Sequence, residues 1–292
     1  MIDVLIPVFN ANDKLRTTLE SIFCHSTTGA LKVIVVDNCT EDWDLSIERD
    51  FPEATFHRNR ENLGRLGNWD ECLKHVSSDF YMFLMAGDKL TGVPSLFREG
   101  LEAGCAYVFD MKFALGGNVR ELNKWHSNSD KEFAPDDFLR TYLLGAQMPW
   151  GPLQTWIFPS STISRFSKAS QSHADILYIF EAIRNVQAVK FVKFPIVEWT
   201  MSATRFHSHI DLLTSRKTDF IITKHYLHDE GIAFSELALS LQFLFWSCAL
   251  WLRNPTFNPV KLAIFLFFRK AEQKRLHQEI LNHHSLTLRP ID

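Results

Sequence analysis

The sequence predicts an α/β fold built on a parallel sheet, and three observations carry that reading. Val4-Leu5-Ile6-Pro7-Val8-Phe9-Asn10, Val33-Ile34-Val35-Val36-Asp37-Asn38 and Phe80-Tyr81-Met82-Phe83-Leu84-Met85-Ala86-Gly87-Asp88 are short apolar runs that each end in polar residues. Runs of this kind, rich in Val, Ile and Phe, suit strands covered on both faces. Between the first two, Leu15, Leu19, Ile22 and Phe23 recur at the spacing of one helical face, so residues 5–37 read as strand, helix, strand. In open α/β sheets the ligand sits beyond the carboxyl ends of the strands. Asn10, Asp37, Asn38 and Asp88 all fall at that end.

The remaining elements follow in order. A short helix is expected over 44–49, a strand over 55–58, a loop at Asn62-Leu63-Gly64-Arg65 and a helix over 66–76. Strands are expected at 80–85 and 106–113, with a turn at Gly116-Gly117-Asn118. Residues 136–144 read as helix, whereas Met148-Pro149-Trp150-Gly151-Pro152 must be irregular because proline restricts the residue before it. Ser160 or Ser161 suits the cap of a short helix toward Ala169. Asp175 heads a helix through Arg184, and 189–194 with 196–201 read as two strands or a hairpin. From about Thr214 onward the pattern is helical.

Composition narrows the function. A chain of 292 residues holds one large domain, or one domain with an appendage. A net charge of −3 gives no reason to expect nucleic acid as a partner. The five cysteines are scattered without a Cys-x-x-Cys pair, so neither a disulfide framework nor a zinc site is indicated, and a reducing, cytosolic setting fits. The first strand begins at once, with no signal-peptide pattern ahead of it.

The order of the three strand-end segments resembles the N-terminal half of a family 2 glycosyltransferase with the GT-A fold. Residues 1–212 are then expected to form the catalytic domain and 213–292 a C-terminal helical extension. The resemblance implies an inverting transfer of a sugar from a nucleotide-diphosphate sugar, a UDP-sugar in the first place, to a hydroxyl of a glycan or lipid-linked acceptor. Phe9 stands where a ring can stack on a base, with Pro7 and Asn10 beside it, and Asp37 or Asn38 can bond the base edge or ribose. Family members often carry an acidic pair there; the second member here is Asn38. The Asn62-Leu63-Gly64-Arg65-Leu66-Gly67-Asn68-Trp69 segment is similar to the family's Asn-x-Gly loop, and Arg65 offers a planar fork of donors to a phosphate or base carbonyl.

Asp88 matches the last acid of the family's Asp-x-Asp cluster, which holds Mn²⁺ or Mg²⁺ against the diphosphate; Ala86 and Gly87 occupy the positions where other acids commonly lie. Asp175 matches the general base that takes the acceptor proton, its bland alternative being a carboxylate at a helix N-terminus. Arg205-Phe206-His207 resembles the family's Arg-x-His segment, with His207 toward the metal, Arg205 toward the diphosphate and His209 as a further candidate. A catalytically degenerate binding or scaffolding subunit is the non-enzymatic alternative, supported by Ala86. A sugar nucleotidyltransferase is the other, disfavoured because Pro7-Val8-Phe9-Asn10-Ala11 lacks a Gly-rich phosphate loop.

Residues 237–252 form an apolar stretch of 16 residues, short of the ~20 that span a bilayer. A second apolar run, 262–268, leads into Arg269-Lys270 and Lys274-Arg275. Two uses stay open: packing on the catalytic domain or in a homodimer, and an amphipathic surface on the inner face of the cytoplasmic membrane. The family setting is assembly of a surface glycan such as capsule or lipopolysaccharide.

Overall fold

The computed structural model describes residues 1–25, 29–115, 118–122, 131–138, 152–166, 174–200, 212–229, 235–251 and 259–287. Its N-terminal part alternates strand and helix: β1 (Ile2–Val8), α1 (Asn12–Phe23), β2 (Leu31–Asp37), α2 (Leu45–Asp50), β3 (Thr55–Arg58), α3 (Gly64–Leu73) and β4 (Phe80–Phe83). Then come β5 (Lys89–Leu90), α4 (Leu96–Glu99), β6 (Cys105–Leu115), β7 (Asn118–Leu122), β8 (Lys131–Phe133) and β9 (Trp156–Pro159). The chain continues through α5 (Ala174–Arg184), β10 (Ala188–Thr200), α6 (Leu212–Asp229), α7 (Glu236–Trp251), α8 (Pro259–Phe268) and α9 (Lys270–Thr287).

One sheet organises the described residues, in the order β3-β2-β1-β4-β9-β6-β10-β5, with β7 on β6 and β8 on β10. The four N-terminal strands are parallel, as the apolar runs imply. All seven residues of β1 are buried. Val4, Ile6 and Val8 join the apolar cluster under α1, while Leu5 joins the cluster on the opposite face, beneath α3 and α5. That alternation explains why the run has no polar face. The order reverses between β1 and β4: the chain leaves β1 toward β2 and β3, then crosses back to β4 on the other side. A crevice opens at such a switch point, beyond the carboxyl ends of β1 and β4.

The second half differs from the sequence reading in particular ways. Residues 188–200 form one strand, not two or a hairpin, pairing parallel with β6 along its length. The register shifts on either side of Pro195, which lacks the N–H to stay in the ladder, so the break is a bulge and not a reversal. Ser160 and Ser161 begin a single 3₁₀ turn, Ser160–Thr162, instead of a helix. β9, antiparallel to both β4 and β6, joins the two halves of the sheet. The helix expected over 136–144 is described only as a turn over 135–138, the rest lying outside the described residues.

The C-terminal helices pack onto this core. Phe220 of α6, Phe243 of α7 and Phe265 of α8 belong to the same apolar cluster as Trp69, Tyr178 and Trp156. Phe220 meets Phe243 and Phe265 edge to face, at 5.4 and 6.4 Å between centroids. Gln273 of α9 donates to the carbonyls of Phe265 and Leu266, satisfying orphan acceptors at the end of α8. Among the described residues no helix is long and apolar enough to cross a membrane.

Candidate active site

Three residues with left-handed backbone mark the carboxyl edge of the parallel strands: Asn10 after β1 (φ 48°), Cys39 after β2 (φ 66°) and Gly87 after β4 (φ 104°). Asparagine and glycine take that conformation readily; a cysteine costs on the order of 1 kcal/mol, and such strain gathers where loops are shaped for a ligand. Pro7 is buried within β1 opposite Val36, and Phe9 follows, 45% exposed and available to stack. The Asn10 N–H donates to Thr40 Oγ1 at 2.9 Å, tying the β1 and β2 exits together.

Asp37 and Asn38 stand where the sequence puts them, but their polar atoms already have work. The fully buried Asp37 carboxylate accepts from the N–H and hydroxyl of Thr40 and pairs with Arg58 Nε at 3.2 Å. Asn38, 2% exposed, accepts from the Leu63 N–H at 2.9 Å and from Asn59 Nδ2 at 3.2 Å. It also donates to Asn62 Oδ1 at 2.8 Å and the Gly64 carbonyl at 3.3 Å. Two of those four bonds need a donor, which a carboxylate lacks, so the loop chemistry explains an asparagine here. Asn38→Ala should therefore cost about 1–3 kcal/mol of unfolding free energy by leaving buried loop groups unpaired. Chemical denaturation measures it, and a loss within the scatter of parent values would mean that water replaces the amide.

The loop that Asn38 holds presents Arg65. Gly64, at φ 73°, turns the chain into α3, and Gly67 passes Leu63 so closely that an added Cβ would come within 2.8 Å of its Cβ. The Arg65 guanidinium lies over Trp69, 4.7 Å from the ring centroid. Burial pulls its pKa down, and the negative charge of Asp175 opposes that shift. Asp175, at the first turn of α5, is therefore an electrostatic neighbour of the Asn-x-Gly loop, although 110 positions separate them in sequence. The packing that brings them together is aromatic: Phe166 meets Trp69 edge to face at 5.0 Å and stacks on Tyr178 of α5 at 4.2 Å. The Phe166 N–H also donates to Asp70 Oδ1 of α3 at 2.8 Å.

Asp88 is held from three directions. Its Oδ2 accepts from Gln154 Nε2 at 2.8 Å and its Oδ1 from the Thr200 N–H at 3.1 Å. Thr18 of α1 donates to its carbonyl at 2.8 Å and accepts from the Gly87 N–H at 2.9 Å. Asp88 is only 4% exposed, and burial pushes its pKa up to about 6 against the opposing pull of the bonds from the Gln154 side chain and the Thr200 N–H. The carboxylate keeps lone pairs beyond the two in use, and its desolvated charge favours a cation beside it. It therefore fits a hard divalent ion held through a single carboxylate and substrate oxygens. Among the described residues no group of three or more His, Cys, Asp or Glu is placed to hold a metal.

Arg205, His207 and His209 lie outside the described residues. Gln154, Thr18 and Thr200 are site residues that sequence reasoning did not find. Only Thr18 leaves a trace there, as a polar residue within the apolar stripe of α1.

Comparison with known proteins bears on this arrangement. Residues 3–90 match the model of the Glycosyl transferase family 2 family. No curated protein matches the chain. Among solved structures, S. aureus TarS 1-349 in complex with UDP shares 15% identity, covers 97% of this chain and 71% of its own, and has a TM-score of 0.57. The UDP-GlcNAc complex of TarS 1-349 gives 15% identity, coverage of 96% and 79%, and a TM-score of 0.61. A further S. aureus TarS structure gives 16% identity, coverage of 97% and 43%, and a TM-score of 0.56. The fold is thus the GT-A fold of those structures, with a C-terminal helical region.

Proposed function

We propose that this chain, whose residues 3–90 match glycosyl transferase family 2, transfers a sugar from a UDP-sugar to a hydroxyl of a glycan or lipid-linked acceptor, with inversion. The observation that supports it best is the meeting of Asp175 with the Arg65 loop at the carboxyl edge of the sheet, where Phe9 and Asp88 also lie. The similar TarS structures hold UDP and UDP-GlcNAc, which favours uridine as the base.

In this reading Phe9 stacks on the base, and the buried Asp37, paired with the exposed Arg58, joins Asn38 in shaping the loops around it without spending its atoms on the ligand. Arg65 reaches toward the diphosphate. Asp88, with His207 from the segment 201–211, would hold Mn²⁺ or Mg²⁺, which would supply charge neutralisation at the diphosphate. Asp175 takes the proton of the acceptor hydroxyl as it attacks the anomeric carbon from the face opposite the leaving group. Bond formation to the acceptor oxygen and cleavage of the sugar–phosphate bond then occur together, inverting the centre. Assembly of a surface glycan is the biological setting that this reaction suits.

The test is turnover of a panel of UDP-, GDP- and dTDP-sugars by the full chain with Mn²⁺ or Mg²⁺, read as released nucleoside diphosphate. UDP release from a UDP-sugar is the expected result. Binding of the same compounds without turnover under any metal would replace the proposal with a binding subunit. Formation of nucleoside triphosphate from pyrophosphate would replace it with a nucleotidyltransferase.

A further inference from the structure

We propose that the outer face of α8, continued by the start of α7, is a docking surface for an anionic lipid bilayer. α8 turns Leu262, Phe265 and Leu266 into the core. It turns Val260, Ile264 and Phe268 outward at 64%, 42% and 80% exposure, four residues apart and so on one face. On α7, which packs beside it, Leu237 and Leu241 repeat the same spacing at 61% and 52% exposure. These five make up half of the ten large apolar side chains exposed among the described residues, so the apolar surface is gathered here and not scattered.

Charge decides what covers it. Residues 259–287, which span α8 and α9, carry Lys261, Arg269, Lys270, Lys274 and Arg275 against Glu272 and Glu279, in a chain whose net charge is −3. Of the three acids on these helices and α7, Glu236, Glu272 and Glu279, two are engaged in ion pairs: Glu272 with Lys217 at 2.6 Å, and Glu236 with Lys270 at 2.7 Å and also with Lys224. Arg269, which follows Phe268 directly, and Lys274, one turn into α9, are exposed. A two-fold contact with a second copy would set this basic patch against itself. An anionic headgroup layer attracts it and receives the apolar side chains below, while the basic stems reach up to the phosphates. At ten residues α8 is about 15 Å long, half of a bilayer core, so it lies on the surface and does not cross.

The test is cosedimentation of the full chain with phosphatidylcholine vesicles and with vesicles containing equal parts phosphatidylglycerol, at low and high salt. Ile264→Ser with Phe268→Ser removes the apolar contact, and Arg269→Glu with Lys274→Glu reverses the charge; all four positions are exposed, and matching thermal unfolding checks the fold. Anionic vesicles should be bound at least about tenfold more tightly than neutral ones, and each double variant should lose about tenfold or more. Equal affinity for both vesicle types, or full retention in either variant, would overturn the proposal. So would a dimer that the serine variant dissociates without any vesicle binding. Because the readout needs no sugar transfer, its failure and a failure of the proposed reaction are separable.

Discussion

Asp175→Asn lowers kcat by about 10²- to 10⁴-fold and leaves UDP affinity within a factor of two or so of the parent, if the carboxylate is the base. An amide of the same shape cannot take the acceptor proton, and positioned base catalysis is worth that range of rate. In the proposed function donor binding rests on Phe9, Arg65 and Asp88, which the substitution leaves in place, so kcat and kcat/KM should fall together while KM for the donor stays. The alternative role, a carboxylate interacting with the N-terminal dipole of α5, makes a different forecast. It moves unfolding free energy by about 0.3–1 kcal/mol and kcat not at all. Steady-state kinetics beside denaturant unfolding of the two proteins separates them: near-normal kcat with reduced stability would remove Asp175 from the chemistry.

Why Asp175 was legible and Gln154 was not is a matter of which physical signals are local. The first is an acid at the start of an apolar-periodic helix, and its helix runs Ala174–Arg184, within one residue of the reading. Strands β1, β2 and β4 are equally local, because burial on both faces forces a continuous apolar run. Gln154 reaches Asp88 across 66 positions, from a single 3₁₀ turn, Leu153–Thr155, between Pro152 and β9, too short for any periodicity to announce a partner. β9 escaped for a related reason: four residues, the last of them Pro159, carry too short a pattern to be told from loop, and only pairing with β4 and β6 makes them a strand.

Orientation was also beyond the sequence. Asp37 and Asn38 could be put at the strand end by counting residues, but that Asp37 turns inward to Thr40 and Arg58 depends on the left-handed turn at Cys39 and on where β3 ends. The same holds for α7 and α8. Their apolar runs announced burial in general, whereas the division between inward Phe243 and Phe265 and outward Leu241 and Phe268 is set by neighbours elsewhere in the chain.

Asp88→Asn should abolish the metal-dependent part of UDP binding and lower metal-dependent turnover by at least about 10²-fold, since Asp88 is the acid of the β4–β5 connection that the proposed function sets against the diphosphate. Its burial supplies a second readout that needs no substrate. With a folded pKa of about 6 against an ordinary 3.8, the folded state holds the Asp88 proton more tightly than the unfolded chain does. The stability it contributes is present below pH ~4 and is lost as the pH rises through 6, by roughly 3 kcal/mol at neutral pH. Stability of the metal-free parent relative to Asp88→Asn should therefore decline by that order between pH 4 and 7. A divalent ion at the carboxylate stabilises the charged form, so Mn²⁺ should restore parent stability near pH 7, do little near pH 4, and leave the variant unmoved. Calorimetric or denaturant unfolding of both proteins across this range, with and without Mn²⁺, measures each arm. Equal Mn²⁺ stabilisation in parent and variant would take the metal away from Asp88. A flat pH difference between the two would mean that the Gln154 and Thr200 bonds already offset the cost of burying its charge.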